Sequence, residues 1–265
     1  MYKFGFIGCG NMGGTLAVAV SKTEKNLAVA DKNSDIAAKI AGITGADTVS
    51  NEEIARNSRY IVLGVKPQML PFVLDEIAPV LKERKDRFTM ISMAAGVEMF
   101  SIGRMTDENY PLIRIMPNTP ASVGEGMIVY SSNEYVTDEE KKEFETSFSA
   151  AGDIEYIPEG LIDAASAVSG CGPAFVYMFI EALADGGVRC GLPRSLAMRL
   201  AAKTVSGSAD TVALSEKHPG ELKDAVCSPG GSTIEGVAAL ENGAFRGTVT
   251  EAVTAAFERT KELGK

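Results

Sequence analysis

Three features predict an α/β domain with a parallel-rich sheet followed by an all-α domain. Apolar, β-prone runs alternate with helical ones through the first half, a glycine-rich turn joins the first strand to the first helix, and strand signals stop from about Pro158 onward. Tyr2 to Gly8 ("YKFGFIG") is the first strand, and "NMGGTLAVAVSK" from Asn11 is the first helix. Asn26 to Asp31, Tyr60 to Val65 and Phe88 to Ala95 are further strands, and "SDIAAKIAGIT" and "QMLPFVLDEIAPVLKE" are helices between them. Strands spaced by helices pair in parallel through helical crossovers. "LIRIMPN" and "GMIVYSS" read as two more strands. In "TDEEKKEFETSFSAAG" Thr137 is an N-cap with acidic residues in the first turn, the pattern of a solvated helix. Beyond Pro158 the helices are Leu161 to Ser169, Pro173 to Cys190, Pro193 to Leu214, Pro219 to Val226, Ser232 to Leu240 and Thr248 to Leu263. The boundary falls near residues 152–160, and the domains are taken as 1–157 and 158–265.

The chain has 265 residues, 45% hydrophobic and 23% charged, enough for one large core or two ordinary ones. A formal net charge of −9 argues against nucleic acid or an anionic membrane as partner, since both reward a basic face. No apolar run is read as approaching the roughly 18 residues of a spanning helix, and the N-terminus lacks a signal-peptide layout, so a cytoplasmic protein is expected. Cys9, Cys171, Cys190 and Cys227 show neither CxxC pairs nor metal-type spacing, and His218 is the single histidine. No metal site is therefore expected, and the cysteines read as reduced thiols.

Gly8-Cys9-Gly10-Asn11-Met12-Gly13 is a GxGxxG between the first strand and the first helix, the setting of a Rossmann-type dinucleotide site. Gly8 allows the tight turn, Gly10 lets backbone approach a pyrophosphate, and Gly13 lets helix and strand pack closely. The second strand ends at Asp31, where an acidic side chain accepts from the adenosine ribose and favours NAD. Lys32, Asn33 and Ser34 follow directly and suit a 2′-phosphate, so NADP stays open. Lys66 stands at the carboxyl end of a strand, as a ligand contact or a plain surface lysine. "MAAGV" (Met93 to Val97) ends the next strand with small residues that suit a flat ring or simple packing. His218, before Pro219, reads as a turn or helix-start residue rather than a catalyst. Gly186 and Gly187 read as permitting close helix packing.

"CSPGGSTIEG" (Cys227 to Gly236) breaks helical sequence with Pro229, Gly230 and Gly231, then offers Ser232 and Thr233 as N-cap candidates. Glycines before a helix N-terminus leave backbone N–H groups free for an anion.

These stretches resemble the pyrroline-5-carboxylate reductase family over nearly the whole chain. The resemblance rests on "FIGCGNMG", "VKPQMLPFVLDEI", "MAAGV", "MPNTPASVGEG", "DAASAVSGCGPAF", "EALADGGVRCGLPR" and "HPGELKDAVCSPGGSTIEGVAALE". It implies reduction of the C=N bond of 1-pyrroline-5-carboxylate to L-proline by NADPH, with NADH as the alternative coenzyme. It also implies a homodimer through the helical domain, within a larger ring, a decamer. Ser228, Gly230, Gly231, Ser232 and Thr233 would hold the substrate carboxylate, and the Thr233 hydroxyl would reach the imine nitrogen as the catalytic group. Ser166 and Glu216 would line the same pocket. The coenzyme site is expected at Ile7, Gly8, Cys9, Gly10, Asn11 and Met12; at Asp31, Lys32, Asn33, Ser34 and Asn51; and at Gly64, Val65, Lys66, Pro67, Ala94, Ala95 and Gly96. Cys171 and Cys227 stand where the family often has Ser, which opens a route to oxidation. A β-hydroxyacid dehydrogenase would need a catalytic Lys in "PAFVYMFIEALADGG", which has none, and a non-catalytic scaffold would have no use for "SPGGST".

Overall fold

The computed structural model describes residues 1–106 and 108–263. By contacts the chain forms two units: Met1–Cys171 together with the end of the C-terminal helix from Ala256, and Gly172–Ala255. In the first unit the order is β1 (Tyr2–Ile7), α1 (Asn11–Val20), β2 (Leu27–Ala30), α2 (Ser34–Thr44), β3 (Asp47–Thr48), α3 (Asn51–Asn57), β4 (Ser58–Leu63), α4 (Leu70–Glu83), β5 (Thr89–Ser92), α5 (Met99–Thr106), β6 (Leu112–Met116), β7 (Gly126–Ser132), α6 (Asp138–Phe148), β8 (Gly152–Tyr156) and α7 (Ile162–Ala165). Among the described residues eight strands form one sheet, in the order β3-β2-β1-β4-β5-β6-β7-β8. Every pairing is parallel except β6 with β7. Strand order reverses between β1 and β4, so the crevice for a ligand lies past the carboxyl ends of those two strands.

Both faces of the sheet are covered. Leu16, Ala17 and Val20 of α1 and Phe144 and Phe148 of α6 pack with Phe4, Phe6, Val62 and Ile113 on one face. Ile54 of α3, Leu74 and Ile77 of α4 and Ile102 of α5 pack with Ile61, Leu63 and Met90 on the other. Burial on both sides explains why these strands read as unbroken apolar runs. Helix α6 departs from the solvated reading. Thr137 does cap it, in a reciprocal box with Glu140, but Glu140 is buried and its carboxylate accepts from Arg59, from Arg87 at 2.8 and 2.9 Å and from Thr89 at 2.9 Å.

The second unit holds α8 (Gly172–Arg189), α9 (Arg194–Ser215), α10 (Pro219–Ala225), α11 (Ser232–Asn242) and the start of α12 (Phe245–Leu263). Helices α8 and α9 meet through Ala184, Ala197 and Ala201, and a Cβ on Gly187 would lie 3.2 Å from Ala197 Cβ, so that glycine does permit close packing. Gly186 faces open space in the single chain and makes no such contact within it. Much of α8 is uncovered in the single chain: Met178 is 70% and Tyr177 57% exposed.

One expectation fails on composition. Helical residues run from Glu159 to Arg189, 31 residues long and apolar enough to cross a membrane by those two measures. Gly170 and Pro173 divide this stretch on paper. In the fold a π-helical turn, Ser166–Gly170, carries the helical path past them. Contact grouping also places 159–171 with the sheet, because Ile162 packs with Met116 and Val129 and Asp163 pairs with Arg114.

Candidate active site

The carboxyl edge of the parallel strands gathers the residues expected to hold the dinucleotide. Register sets Ile7 beside Ala30 and Leu63, and Leu63 beside Ser92, so the segments after β1, β2, β4 and β5 begin at one level. Gly8, at φ 92°, donates to Ala30 O, and Gly64 donates to Ile7 O, both at 2.8 Å. A Cβ on Gly13 would sit 2.1 Å from Gly8 O, and one on Gly64 2.4 Å from the same atom. Gly8, Gly13 and Gly64 are thus glycine because backbone meets backbone. Gly10 is different, since a Cβ there would meet nothing within 4 Å. It is the N-cap of α1 and no side chain caps that helix, so the first N–H groups of α1 face open space beside Gly10. That opening, with a helix N-terminus aimed into it, fits a pyrophosphate. Gly96, at φ 75°, turns the chain after β5, with Ala94 buried and Ala95 half-buried beside it. Val65 and Pro67 are half-buried, and Lys66 is exposed as the N-cap of a 3-10 turn, Pro67–Met69. The Asn51 side chain donates to Glu76 at 2.9 Å, on the neighbouring α4.

Asp31 is bound more closely to the protein than a ribose acceptor needs to be. One carboxylate oxygen accepts from Cys9 N at 2.8 Å and the other from Asn33 N at 2.9 Å. The Asn33 side chain in turn caps α2 by accepting from Asp35 N at 3.0 Å. Lys32 and Ser34 are left exposed. The Cys9 thiol is buried under this clamp. Burial first, and the Asp31 charge second, push it up to about 12, so it stays a neutral packing group at physiological pH.

Ser166 is buried at the start of the π-helical turn. Glu216, Ser228 and Gly230 to Thr233 belong to the second unit. Ser228-Pro229-Gly230-Gly231 is a β-turn closed by Gly231 N donating to Ser228 O at 3.0 Å, with Gly230 at φ 66° in the position that calls for glycine. This answers why the helical sequence breaks at Pro-Gly-Gly. Two expectations change. The N-cap of α11 is Gly231, not Ser232 or Thr233, and no side chain caps it. The Gly231 N–H is also already spent on Ser228, and a Cβ on Gly231 would lie 2.4 Å from Ser228 Oγ. The amides left for an anion are those of Ser232 and Thr233, in the uncapped first turn of α11. Glu216 ends α9 in the left-handed conformation, φ 56°, uncommon for a residue with a side chain. His218 starts α10, its Nδ1 accepting from Gly220 N at 3.0 Å, the helix-start role read from its place before Pro219.

Three buried polar residues have distant partners that no local signal in the sequence reveals. Arg114, fully buried in β6, pairs with Asp163 at 2.6 Å and Glu159 at 3.4 Å. Asn118, just past β6, ties two further segments together. Glu140 is the third. Apart from Thr137, which shares a capping box with Glu140, each partner lies 20 or more residues away or on another element, beyond the reach of periodicity.

A doubly wound sheet with a glycine knot at its switch point and an open, uncapped helix N-terminus defines a dinucleotide-binding protein of the Rossmann type. Comparison with known proteins makes the assignment specific. A family model described as "Pyrroline-5-carboxylate reductase dimerisation" matches residues 159–263, and one described as "NADP oxidoreductase coenzyme F420-dependent" matches 3–96. Pyrroline-5-carboxylate reductase of Pisum sativum is 41% identical over 266 residues, 99% of this chain and 96% of the pea protein. That of Escherichia coli K12 is 41% identical over 270 residues, 99% and 98% of the two chains. The NADP-bound crystal structure of Plasmodium falciparum pyrroline carboxylate reductase superposes with a TM-score of 0.88 at 38% identity, covering 100% of this chain and 98% of that one. The chain belongs to the pyrroline-5-carboxylate reductase family.

Proposed function

We infer that this protein reduces 1-pyrroline-5-carboxylate to L-proline with a reduced nicotinamide dinucleotide, NADPH first and NADH as the alternative. The observation that carries the reading is the pairing, in one chain, of an open pyrophosphate cradle at Gly10 with a Pro-Gly-Gly turn that leaves an uncapped helix start at Ser232 and Thr233. The coenzyme, when bound, supplies hydride to the imine carbon. The protein's part is to bind and orient. Gly8 to Met12 hold the phosphates, with Ile7 at the strand end; Asp31 to Ser34 and Asn51 flank the adenosine side; Gly64 to Pro67 and Ala94 to Gly96 line the edge toward the nicotinamide. The Ser232 and Thr233 amides, with the Ser228 hydroxyl and the turn at Gly230 and Gly231, take the substrate carboxylate. The Thr233 hydroxyl meets the imine nitrogen, and Ser166 and Glu216 line the pocket. A protonated imine is already electrophilic, so orientation is most of what the side chains must add.

The functional division follows the domains 1–157 and 158–265. The uncovered apolar side chains of α8 fit a homodimer through the helical domain. The proposal extends to a decameric ring of such dimers and to a cytoplasmic protein. Loss of near-ultraviolet absorbance of NADPH or NADH on adding pyrroline-5-carboxylate tests the activity; no turnover with either coenzyme overturns it. Light scattering tests the assembly, and a monomer at micromolar concentration overturns that part.

A further inference from the structure

The π-helical turn that carries Ser166 is held by a side chain from the sheet. A carbonyl in an α-helix accepts from the N–H four residues on, and for Ser169 that residue is Pro173, which has no N–H. The turn uses its neighbouring acceptors otherwise: Cys171 N donates to Ser166 O at 2.9 Å, five residues back. The Ser169 carbonyl is satisfied instead by Asn118 Nδ2 at 2.9 Å, and Asn118 Oδ1 accepts from Met127 N, at the start of β7, also at 2.9 Å. Asn118 is 8% exposed and serves as N-cap of the 3-10 turn Thr119–Val123 without bonding to it, its side-chain oxygen being turned to Met127 N instead. One side chain therefore clips the ends of β6 and β7 to the turn. A Cβ on Gly170 would lie 3.1 Å from Ser166 Oγ, so the hydroxyl sits tightly against the turn that Asn118 holds.

We propose that Asn118 is a positioning residue for imine binding: it fixes the Ser166–Gly170 turn in its π-helical path and so sets where the Ser166 hydroxyl stands. The inference rests on the reading that Ser166 lines the substrate pocket. A π-turn is an uncommon conformation that needs outside support, and it recurs at functional sites. Here Pro173 creates the orphan carbonyl and Asn118, some fifty residues earlier in sequence, supplies the missing donor.

Three variants of the full-length protein test it: Asn118→Asp, Asn118→Ala and Ser166→Ala. Asp keeps the oxygen that accepts from Met127 N but turns a second oxygen on the Ser169 carbonyl. That link can re-form only when the carboxyl is protonated and donates as the amide does. The groups bonded to Asn118 are backbone atoms of Met127 and Ser169, so the new carboxyl is the titrating group at the clip. Expected are an imine KM raised about tenfold in both Asn118 variants at about pH 8, with kcat changed less and coenzyme Kd unchanged. Relative to wild type at each pH, the Asp defect should shrink toward about pH 6 while the Ala defect stays constant. Coenzyme Kd at its wild-type value shows that the sheet edge is intact. If Ser166→Ala leaves imine KM at the wild-type value, the premise and the inference fall together. If Ser166→Ala raises it and the Asn118 variants do not, or if Asp and Ala respond alike to pH, the role of Asn118 is overturned.

Discussion

Alanine at Gly10 and at Gly13 should damage the protein in opposite ways, although the two belong to one motif. At Gly13 the new methyl would stand 2.1 Å from Gly8 O, a backbone atom held in a turn that is itself bonded to Ala30. Neither side can yield without opening the β1–α1 junction. Overpacking of this kind costs on the order of 3 kcal/mol, which in a chain of this size lowers Tm by roughly 6 to 12 °C. Gly10 has φ −61° and ψ −166°, extended backbone that alanine adopts freely, and its Cβ would meet nothing within 4 Å. Gly10→Ala should leave Tm unchanged or raise it slightly, because alanine loses less chain entropy on folding. Its methyl would occupy the space through which a pyrophosphate reaches the amides of α1. A hydrogen bond to a charged acceptor is worth about 1.5 to 3 kcal/mol, so losing one weakens coenzyme binding roughly 10- to 100-fold. Thermal melting and fluorescence titration with NADP⁺ and NAD⁺ separate the two effects. Wild-type coenzyme affinity in Gly10→Ala, or wild-type Tm in Gly13→Ala, would refute the division of labour argued from these contacts.

Asp31→Ala should weaken both coenzymes together, by about tenfold or more, because it releases the Cys9 and Asn33 amides that shape the loop. A large gain in NADP⁺ over NAD⁺ binding, with NAD⁺ affinity intact, would instead mean that the carboxylate acts chiefly by repelling a 2′-phosphate. Thr233→Ala should cost little stability, since Thr233 does not cap α11, while kcat/KM for the imine falls roughly 10- to 100-fold. Wild-type kcat/KM in that variant removes Thr233 from the site. Burial pushes the Glu140 carboxyl up, but bonds from Arg87, Thr137 and Thr89 outweigh it and hold the pKa at about 2. A depressed carboxylate stabilises fully above its unfolded pKa of about 4.3 and loses that contribution as pH falls toward 2, so Glu140→Gln should cost up to about 3 kcal/mol at neutral pH and flatten the acid limb of the Tm profile. An acid limb as steep as in wild type would show that other carboxylates govern it.

What the sequence disclosed depended on how far each signal reaches. The strand, glycine turn and helix from Tyr2 to Val20 are local, and the reasons for Gly8, Gly10 and Gly13 could be stated before any contact was known, whereas those for Gly5 and Gly14, packed on Ile54 and Ser58 and on Cys9 O, could not. The short β3, β8, α3 and α5 lack both length and clean periodicity; the seven residues of α3 owe their place to Ile54 and Ala55 facing the core. The antiparallel turn of β7 against β6 depends on a connection with no helix between them beyond a 3-10 turn. Capping at α11 failed for a related reason. Ser232 and Thr233 are good caps by type, but the turn closed at Gly231 fixes where the helix starts, and both hydroxyls enter it as helical residues.

The same logic separates the legible half of the site from the hidden half. Groups that act through their own backbone, such as Gly8, Gly13 and Gly230, announce themselves because glycine is demanded by φ or by close approach. Groups that act by reaching across the fold do not. Arg114 inside "LIRIM" looks like an error in an apolar strand until Asp163 and Glu159 are brought to it. Asn118 inside "MPNTP" looks like a loop residue until the carbonyl orphaned by Pro173 is counted. Both serve the segment from Glu159 to Cys171, which has little of its own to hold it against the sheet. Its placement is therefore bonded from the β6 side, by an ion pair at Arg114 and an amide clip at Asn118, so the position of Ser166 is set by residues some fifty positions earlier in the chain.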